Sequence, residues 1–262
     1  MATPADLPPD LALALQLADE ADAITLAHAM RTDLRVETKP DLTPVTEADQ
    51  TTELALRERI ASARPDDAIV GEEYGGAAAT GRRWILDPID GTKNYVRRVP
   101  VWATLIALAD DSGIQVGVVS APALGRRWWA ARGHGAWTVG PESPEPRRIE
   151  VSSVTSLADA SFSFSDSQDW DRGALDDLTS RVWRTRAYGD FWSHMLVAEG
   201  AVDIAAEVGL EFYDFAALVP IVEEAGGSFM AVETAGGEMS LTTNGAVLGD
   251  VLAVIEGRAP TT

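Results

Sequence analysis

Trp84-Ile85-Leu86-Asp87-Pro88-Ile89-Asp90-Gly91-Thr92 is a short apolar run that ends in two acids three residues apart, followed by glycine and threonine. Upstream, Ala68-Ile69-Val70 leads in the same way into Gly71-Glu72-Glu73. Both runs read as strands that deliver carboxylates to a common edge. Pro88 keeps Asp87 out of a helix, so a turn there points Asp87 and Asp90 at one centre. Hard oxygen ligands of this kind suit Mg²⁺, and the backbone N–H groups of a Gly-Thr pair suit a phosphate.

A third stretch, Phe212-Tyr213-Asp214-Phe215-Ala216-Ala217, sets another acid at the start of an apolar helix. Glu72, Asp87, Asp90 and Asp214 together are enough for two or three Mg²⁺ ions. Each acid also has a plain explanation. Asp214 suits the positive end of a helix dipole, Asp87 and Asp90 are turn formers, and Glu72-Glu73 suits a solvated surface. Their joint occurrence points to metal chemistry.

Composition narrows the choices. The 262 residues are 46% apolar, enough for one large domain or two joined ones. Cysteine is absent, which excludes disulfides, thiolate metal sites and cysteine nucleophiles. A formal net charge of −20 opposes nucleic acid and anionic lipid as partners. Gathered around divalent cations, the same acids would still accept a phosphate ester, because the ions invert the local potential. With no membrane-length apolar stretch and no basic-then-apolar leader at Met1-Ala2-Thr3-Pro4-Ala5-Asp6, a cytoplasmic location is expected.

Leu11, Leu13, Leu17, Ala18, Ala21 and Ile24 recur at mostly helical spacing behind Pro8-Pro9 and predict a long first helix. The polar, proline-broken stretch Thr38 to Pro44 reads as a loop and a candidate lid, with Thr46 capping a helix that runs to about Ser62. Strands are expected at Thr104–Leu108, Gln115–Val119 and Arg127–Ala131 as an antiparallel meander. Gly140-Pro141-Glu142-Ser143-Pro144-Glu145-Pro146 is the most linker-like stretch and sets the expected boundary between halves 1–150 and 151–262. The second half alternates a strand near Phe162 with helices at about 173–182, 191–200 and 213–225, an α/β pattern.

Taken in order, Pro44-Val45-Thr46-Glu47-Ala48-Asp49, Gly71-Glu72-Glu73, Trp84 to Tyr95 and Tyr213-Asp214-Phe215-Ala216-Ala217 with Glu224-Ala225-Gly226-Gly227 resemble the signature segments of the inositol monophosphatase family. The resemblance implies a layered αβαβα sandwich of the inositol monophosphatase/fructose-bisphosphatase type, α+β in the first half and α/β in the second, and a homodimer. It further implies that Glu72, Asp87 and the Ile89 carbonyl hold one Mg²⁺, and that Asp87, Asp90 and Asp214 hold a second. Glu72 would help with a weaker third. Thr92 and Asp49 would orient the attacking water, making Asp49, Thr92 and Glu72 the catalytic set, while Gly91 and Thr92 cradle the phosphate. Tyr213 departs from the tryptophan that relatives usually carry, but an aromatic wall is kept.

Such residues suit direct attack by water on a phosphate monoester, with no covalent phosphoenzyme. Substrate choice is expected away from the metals, at Arg186, Gly189, Asp190 and Glu207, with Asp214 completing the set. Tyr188-Gly189-Asp190 resembles the branch of the family that acts on histidinol phosphate, and Arg126 to Gly133 and Pro100 to Ala103 resemble its actinobacterial members. A carboxylate at Asp190 suits the ammonium of L-histidinol phosphate. It equally suits a cap on the helix near Phe191. An inositol phosphate or a broader range of sugar phosphates is the alternative substrate class, and a catalytically silent metal-binding regulatory protein is a further alternative. Trp102, Trp128 and Trp192 are candidates to stack on an imidazole or to be core, while His28, His134 and His194 lack metal-ligand spacing and read as structural.

Overall fold

The computed structural model describes residues 7–31, 36–38, 44–76, 80–167, 170–234 and 237–257. Helix α1 spans Pro9–Ala29 with Pro9 in its first turn, where a missing N–H leaves no bond unmade. A short antiparallel pair, β1 (Val36–Thr38) and β2 (Pro44–Thr46), leads into α2 (Glu47–Ala63). Most of the candidate lid, residues 39–43, lies outside the described residues. Thr46 caps α2 as expected: its hydroxyl accepts from the amides of Ala48 and Asp49, and Asp49 returns a bond to the Thr46 backbone.

Seven strands follow in one sheet, joined in chain order. They are β3 (Ala68–Gly71), β4 (Arg83–Asp90), β5 (Ala103–Asp110), β6 (Gly113–Ala121), β7 (Arg126–Ala131), β8 (Ala136–Gly140) and β9 (Ser143–Arg148), with the short helix α3 (Thr92–Arg97) after β4. β3 and β4 run parallel with Gly71 opposite Leu86, so Glu72, just past the end of β3, lies level with Asp87 on β4. From β4 to β8 the pairing is antiparallel, the expected meander. The stretch expected as a linker is instead the β8–β9 turn and the edge strand β9. Pro144 and Pro146 are tolerated there because an edge strand has unpaired positions that need no donor.

Alternate sheet residues Trp84, Leu86, Ile106, Leu108, Val116, Val118 and Trp129 pack with Leu11, Leu17, Leu56 and Ile60 of α1 and α2 into one core. The opposite face of β6 meets a segment from far along the chain. A Cβ on Gly117 would run into the carbonyl of Ala217 and the ring of Pro220. This segment, Phe212–Ile221, clusters with Met1–Arg147 as one compact unit, although it lies beyond residue 151 in sequence.

The second unit comprises Arg148–Glu211 and Val222–Thr262. Its sheet contains β10 (Ser161–Phe164), β11 (Arg184–Arg186), β12 (Ile204–Val208), β13 (Ser228–Thr234) and β14 (Gly237–Thr243), ordered β11-β10-β12-β14-β13. Helices α4 (Arg172–Arg181), α5 (Asp190–Ala198) and, after β14, α8 (Leu248–Ile255) belong to this unit. β10 is parallel to β11 and β12, whereas β14 is antiparallel to both its neighbours. Phe162, Leu178, Ile204, Leu241, Val251 and Val254 form its core. The single helix expected at 213–225 is two pieces, α6 (Phe212–Phe215) and α7 (Leu218–Glu224). Pro220 has no N–H to offer the Ala216 carbonyl, which interrupts the ladder between them. Among the described residues no helix is long and apolar enough to cross a membrane.

The approach of Ala217 to Gly117 is therefore a strict packing requirement. Gly117→Ala is expected to destabilise the protein by about 1–3 kcal/mol, measured as a lowered denaturation midpoint, through overpacking of β6 against this segment.

Candidate functional site

In a regular strand, residues three apart face opposite sides. Asp87 and Asp90 escape this because β4 carries a bulge: Asp87 pairs with Leu105 and Asp90 with Ala103, so three steps on β4 match two on β5. Since Leu105 and Ala103 share a face, the two acids do too. Thr104 fixes the bulge by donating to the Pro88 carbonyl at 2.8 Å, and the Ile89 amide donates to Asp87 Oδ1 at 3.0 Å. Ile89 itself is buried in a small cluster with Ala48, Tyr95 and Trp102. α6 brings in the third acid. One carboxylate oxygen each from Asp87, Asp90 and Asp214 lies within 4.8 Å of the others.

Asp87 is 1% exposed. Burial first, then repulsion from Glu72, Asp90 and Asp214, raises its carboxyl well above the usual carboxylate range, and Glu72 shares a hydrogen bond with it. So much negative charge in one buried place is unfavourable alone and favourable around a cation. The donor set, all carboxylate oxygen with the Ile89 carbonyl adjacent, is that of a hard divalent ion such as Mg²⁺.

Asp49 is buried at the start of α2. Its Oδ2 accepts from the Thr46 amide at 2.8 Å and hydroxyl at 2.6 Å, whereas Oδ1 is buried with no hydrogen-bond partner among the described residues. Burial, with a contribution from Glu72, pushes its pKa up to about 6. Thr92 begins α3, and Gly91 before it has φ 80°, a left-handed conformation that suits glycine. The Thr92 hydroxyl donates to the Ile89 carbonyl at 2.9 Å. Asp49 and Thr92, the two groups expected to orient the attacking water, are held by Thr46 and by Ile89 respectively.

The remaining expected substrate residues lie in the second unit. Gly189 holds the N-cap position of α5 with φ 78° and ψ 167°, which only glycine takes readily, and Asp190 follows with φ 50°. Asp190 is the first residue of α5, one position inside the Gly189 N-cap. The turn is held by serines. The Gly189 amide donates to Ser193 Oγ at 2.9 Å and the Asp190 amide to Ser165 Oγ at 2.8 Å, while Ser163 and Ser193 bond to each other at 2.7 Å. Glu207 is buried on β12, its Oε1 3.7 Å from Nε2 of His194. That ring also meets the Thr242 hydroxyl through Nδ1 at 2.7 Å, and burial pulls its pKa down to about 4. Arg186 is exposed, with Nη1 on the Thr185 carbonyl. Trp102 and Trp128 are buried core residues, whereas Trp192 is half-buried against Tyr188 at 5.5 Å.

Two groups went unread in the sequence: Ser163, Ser165 and Ser193 around the Asp190 turn, and Glu53 on α2. Glu53 with Arg57 has the spacing of an ordinary surface ion pair, and isolated serines carry no pattern.

The pattern that describes the inositol monophosphatase family matches residues 6–257. A histidinol-phosphatase of Streptomyces coelicolor is 52% identical over 260 residues, covering 95% of this chain and 97% of that protein. A histidinol-phosphatase of Mycobacterium tuberculosis is 53% identical over 251 residues, covering 93% and 96%. Among solved structures, a Thermotoga maritima IMPase superposes with a TM-score of 0.84 at 29% identity, over 95% of this chain and 98% of that one. The layered mixed α/β fold class expected from the sequence is the class of that structure. With its acids in family order and residues 6–257 matched, the chain belongs to the inositol monophosphatase family.

Proposed function

We propose that the protein is a Mg²⁺-dependent phosphatase that hydrolyses L-histidinol phosphate to L-histidinol and phosphate, acting as a cytoplasmic homodimer in histidine biosynthesis. The observation that carries the reaction is the convergence of Asp87, Asp90 and Asp214 within 4.8 Å. The choice of ester is supported by the likeness to two histidinol-phosphatases over more than nine-tenths of the chain. The dimer and the location rest on the family and on the soluble character of the sequence.

Glu72, Asp87, Asp90, Asp214 and the Ile89 carbonyl would hold two or three Mg²⁺ ions. When bound, Mg²⁺ supplies positive charge against the phosphate oxygens and the leaving oxygen and makes nearby water more acidic. Asp49 accepts the proton of the attacking water at Oδ1, the oxygen without a hydrogen-bond partner among the described residues. Thr92 orients that water as an acceptor, since its own hydrogen is given to Ile89. The amides of Gly91 and Thr92 hold the phosphate. Water adds to phosphorus, the phosphorus–alkoxide bond breaks, and the alkoxide takes up a proton to leave as alcohol. Asp190 pairs with the substrate ammonium, supported by its position on a strained turn at the start of α5, while Glu207, Gly189 and Arg186 complete the substrate side.

Chelation of Mg²⁺ by EDTA and the Asp90→Asn variant are each expected to lower turnover of histidinol phosphate roughly 100-fold or more, read in a phosphate-release assay. Activity that survives both would refute the reading. Asp190→Ala is expected to lower kcat/KM for histidinol phosphate by about 2–4 kcal/mol in transition-state terms while sparing inositol 1-phosphate. Equal or better turnover of inositol 1-phosphate by the wild type would assign the other ester.

Asp49 also makes a prediction for the metal-free protein. Its folded-state pKa of about 6 exceeds the ordinary 3.8, so the folded chain holds this proton more tightly than the unfolded one. Stability is therefore greatest below pH 4 on this account and falls as pH rises towards 6, by about 3 kcal/mol. In EDTA, Asp49→Asn should lose this part of the pH dependence in denaturant titrations.

A further inference from the structure

Glu53 is fully buried on α2, one helical turn after Asp49 and so on the same face. A buried carboxylate needs partners, and the partners here are specific. Oε2 accepts from the Glu73 amide at 2.7 Å, and Oε1 from the Tyr74 amide at 3.2 Å and from Arg57 Nε at 2.7 Å. On the other side of Glu72, a Cβ on Gly71 would collide with this same carboxylate, so the group lies directly against the Gly71 backbone. Glu53 thus touches the chain immediately before and immediately after Glu72.

The turn is closed from outside as well. The Gly71 amide donates to the Gly75 carbonyl at 3.0 Å, and Arg57 Nη2 donates to that same carbonyl. The Glu72 amide donates to the Leu86 carbonyl at 3.1 Å, next to Asp87. Charge-assisted bonds from a rigid helix hold the backbone around Glu72, whose own carboxyl shares a hydrogen bond with Asp87.

We propose that Glu53, braced by Arg57, is a positioning residue that sets Glu72 for Mg²⁺ and ties it to the helix carrying Asp49. This rests on the reading of Glu72 as a metal ligand. The physical expectation is that of a partner one step removed from the metal, whose loss weakens metal affinity about 10–100-fold without touching the reacting atoms. Glu53→Gln keeps the volume but turns a donor towards donors, so one amide bond to the turn is lost.

The test uses the full-length protein and Mg²⁺ itself. In Glu53→Gln, titration calorimetry should show Mg²⁺ binding weakened roughly 10-fold, and in metal-free protein the amides of Glu73 and Tyr74 should exchange hydrogen faster. In the same variant kcat at saturating Mg²⁺ should stay within about threefold of wild type, as expected of a group that acts through another. Ile60→Val, a core change on the same helix, should lower stability and leave Mg²⁺ affinity unchanged, which separates positioning from plain stabilisation. Arg57→Met, which removes the brace from a partly exposed site, should weaken Mg²⁺ binding in the same direction and decides the matter if Glu53→Gln does not fold. Mg²⁺ affinity within about twofold of wild type in the folded variant would overturn the inference. Glu72→Gln distinguishes the two levels. Unchanged affinity there removes the ligand role and this inference with it, whereas weakening there but not in Glu53→Gln removes the positioning role alone.

Discussion

Asp87 is a buried carboxyl surrounded by three other acids, and the unit that contains it is arranged to hold that repulsion in place. The bulge in β4 aims Asp87 and Asp90 the same way, and Thr104 and the Ile89 amide lock the bulge. α2 contributes Asp49 and Glu53 from one face, and the Phe212–Ile221 segment brings Asp214 against a sheet already covered by α1 and α2. None of these elements is free to relax away from the charge. The site is destabilised when empty of cations, and a native margin of only about 5–15 kcal/mol must absorb that from the cores elsewhere.

The second unit solves a different problem with neutral groups. Gly189 and Asp190 take backbone conformations that an ordinary residue avoids, and three serines, on β10, just after it and on α5, receive the turn's amides or bond to one another. Strain that is held by buried hydrogen bonds persists because the surroundings over-determine it. His194, kept neutral by burial against Thr242, belongs to the framework of that unit rather than to chemistry.

Much of this was legible in advance because it is local. The apolar runs before Glu72 and Asp87, the Thr46 cap, the meander from residue 103 to 131 and the helices of the second half follow from periodicity and capping over a few residues. Where the reading failed, a distant partner decided. The prolines of 144 and 146 look like a linker until the strand is known to lie at an edge. Trp102 and Trp128 look available for stacking until both are found in the core.

The sequence by itself determined the chemistry: oxygen ligands only, no thiol, a Gly-Thr pair after two acids, and the order of motifs that marks the family. Tertiary structure decided which of those groups meet. The odd spacing of Asp87 and Asp90 becomes convergent only through the register shift against β5. Asp214 reaches them from more than a hundred residues away because its short helix packs with the first unit, and Glu53 stops being a surface-type residue because Gly71 leaves room for its carboxylate. The physical reason is range: propensity and patterning act over a turn or two of chain, whereas strand register, burial and close backbone approach are set by contacts between segments far apart in sequence.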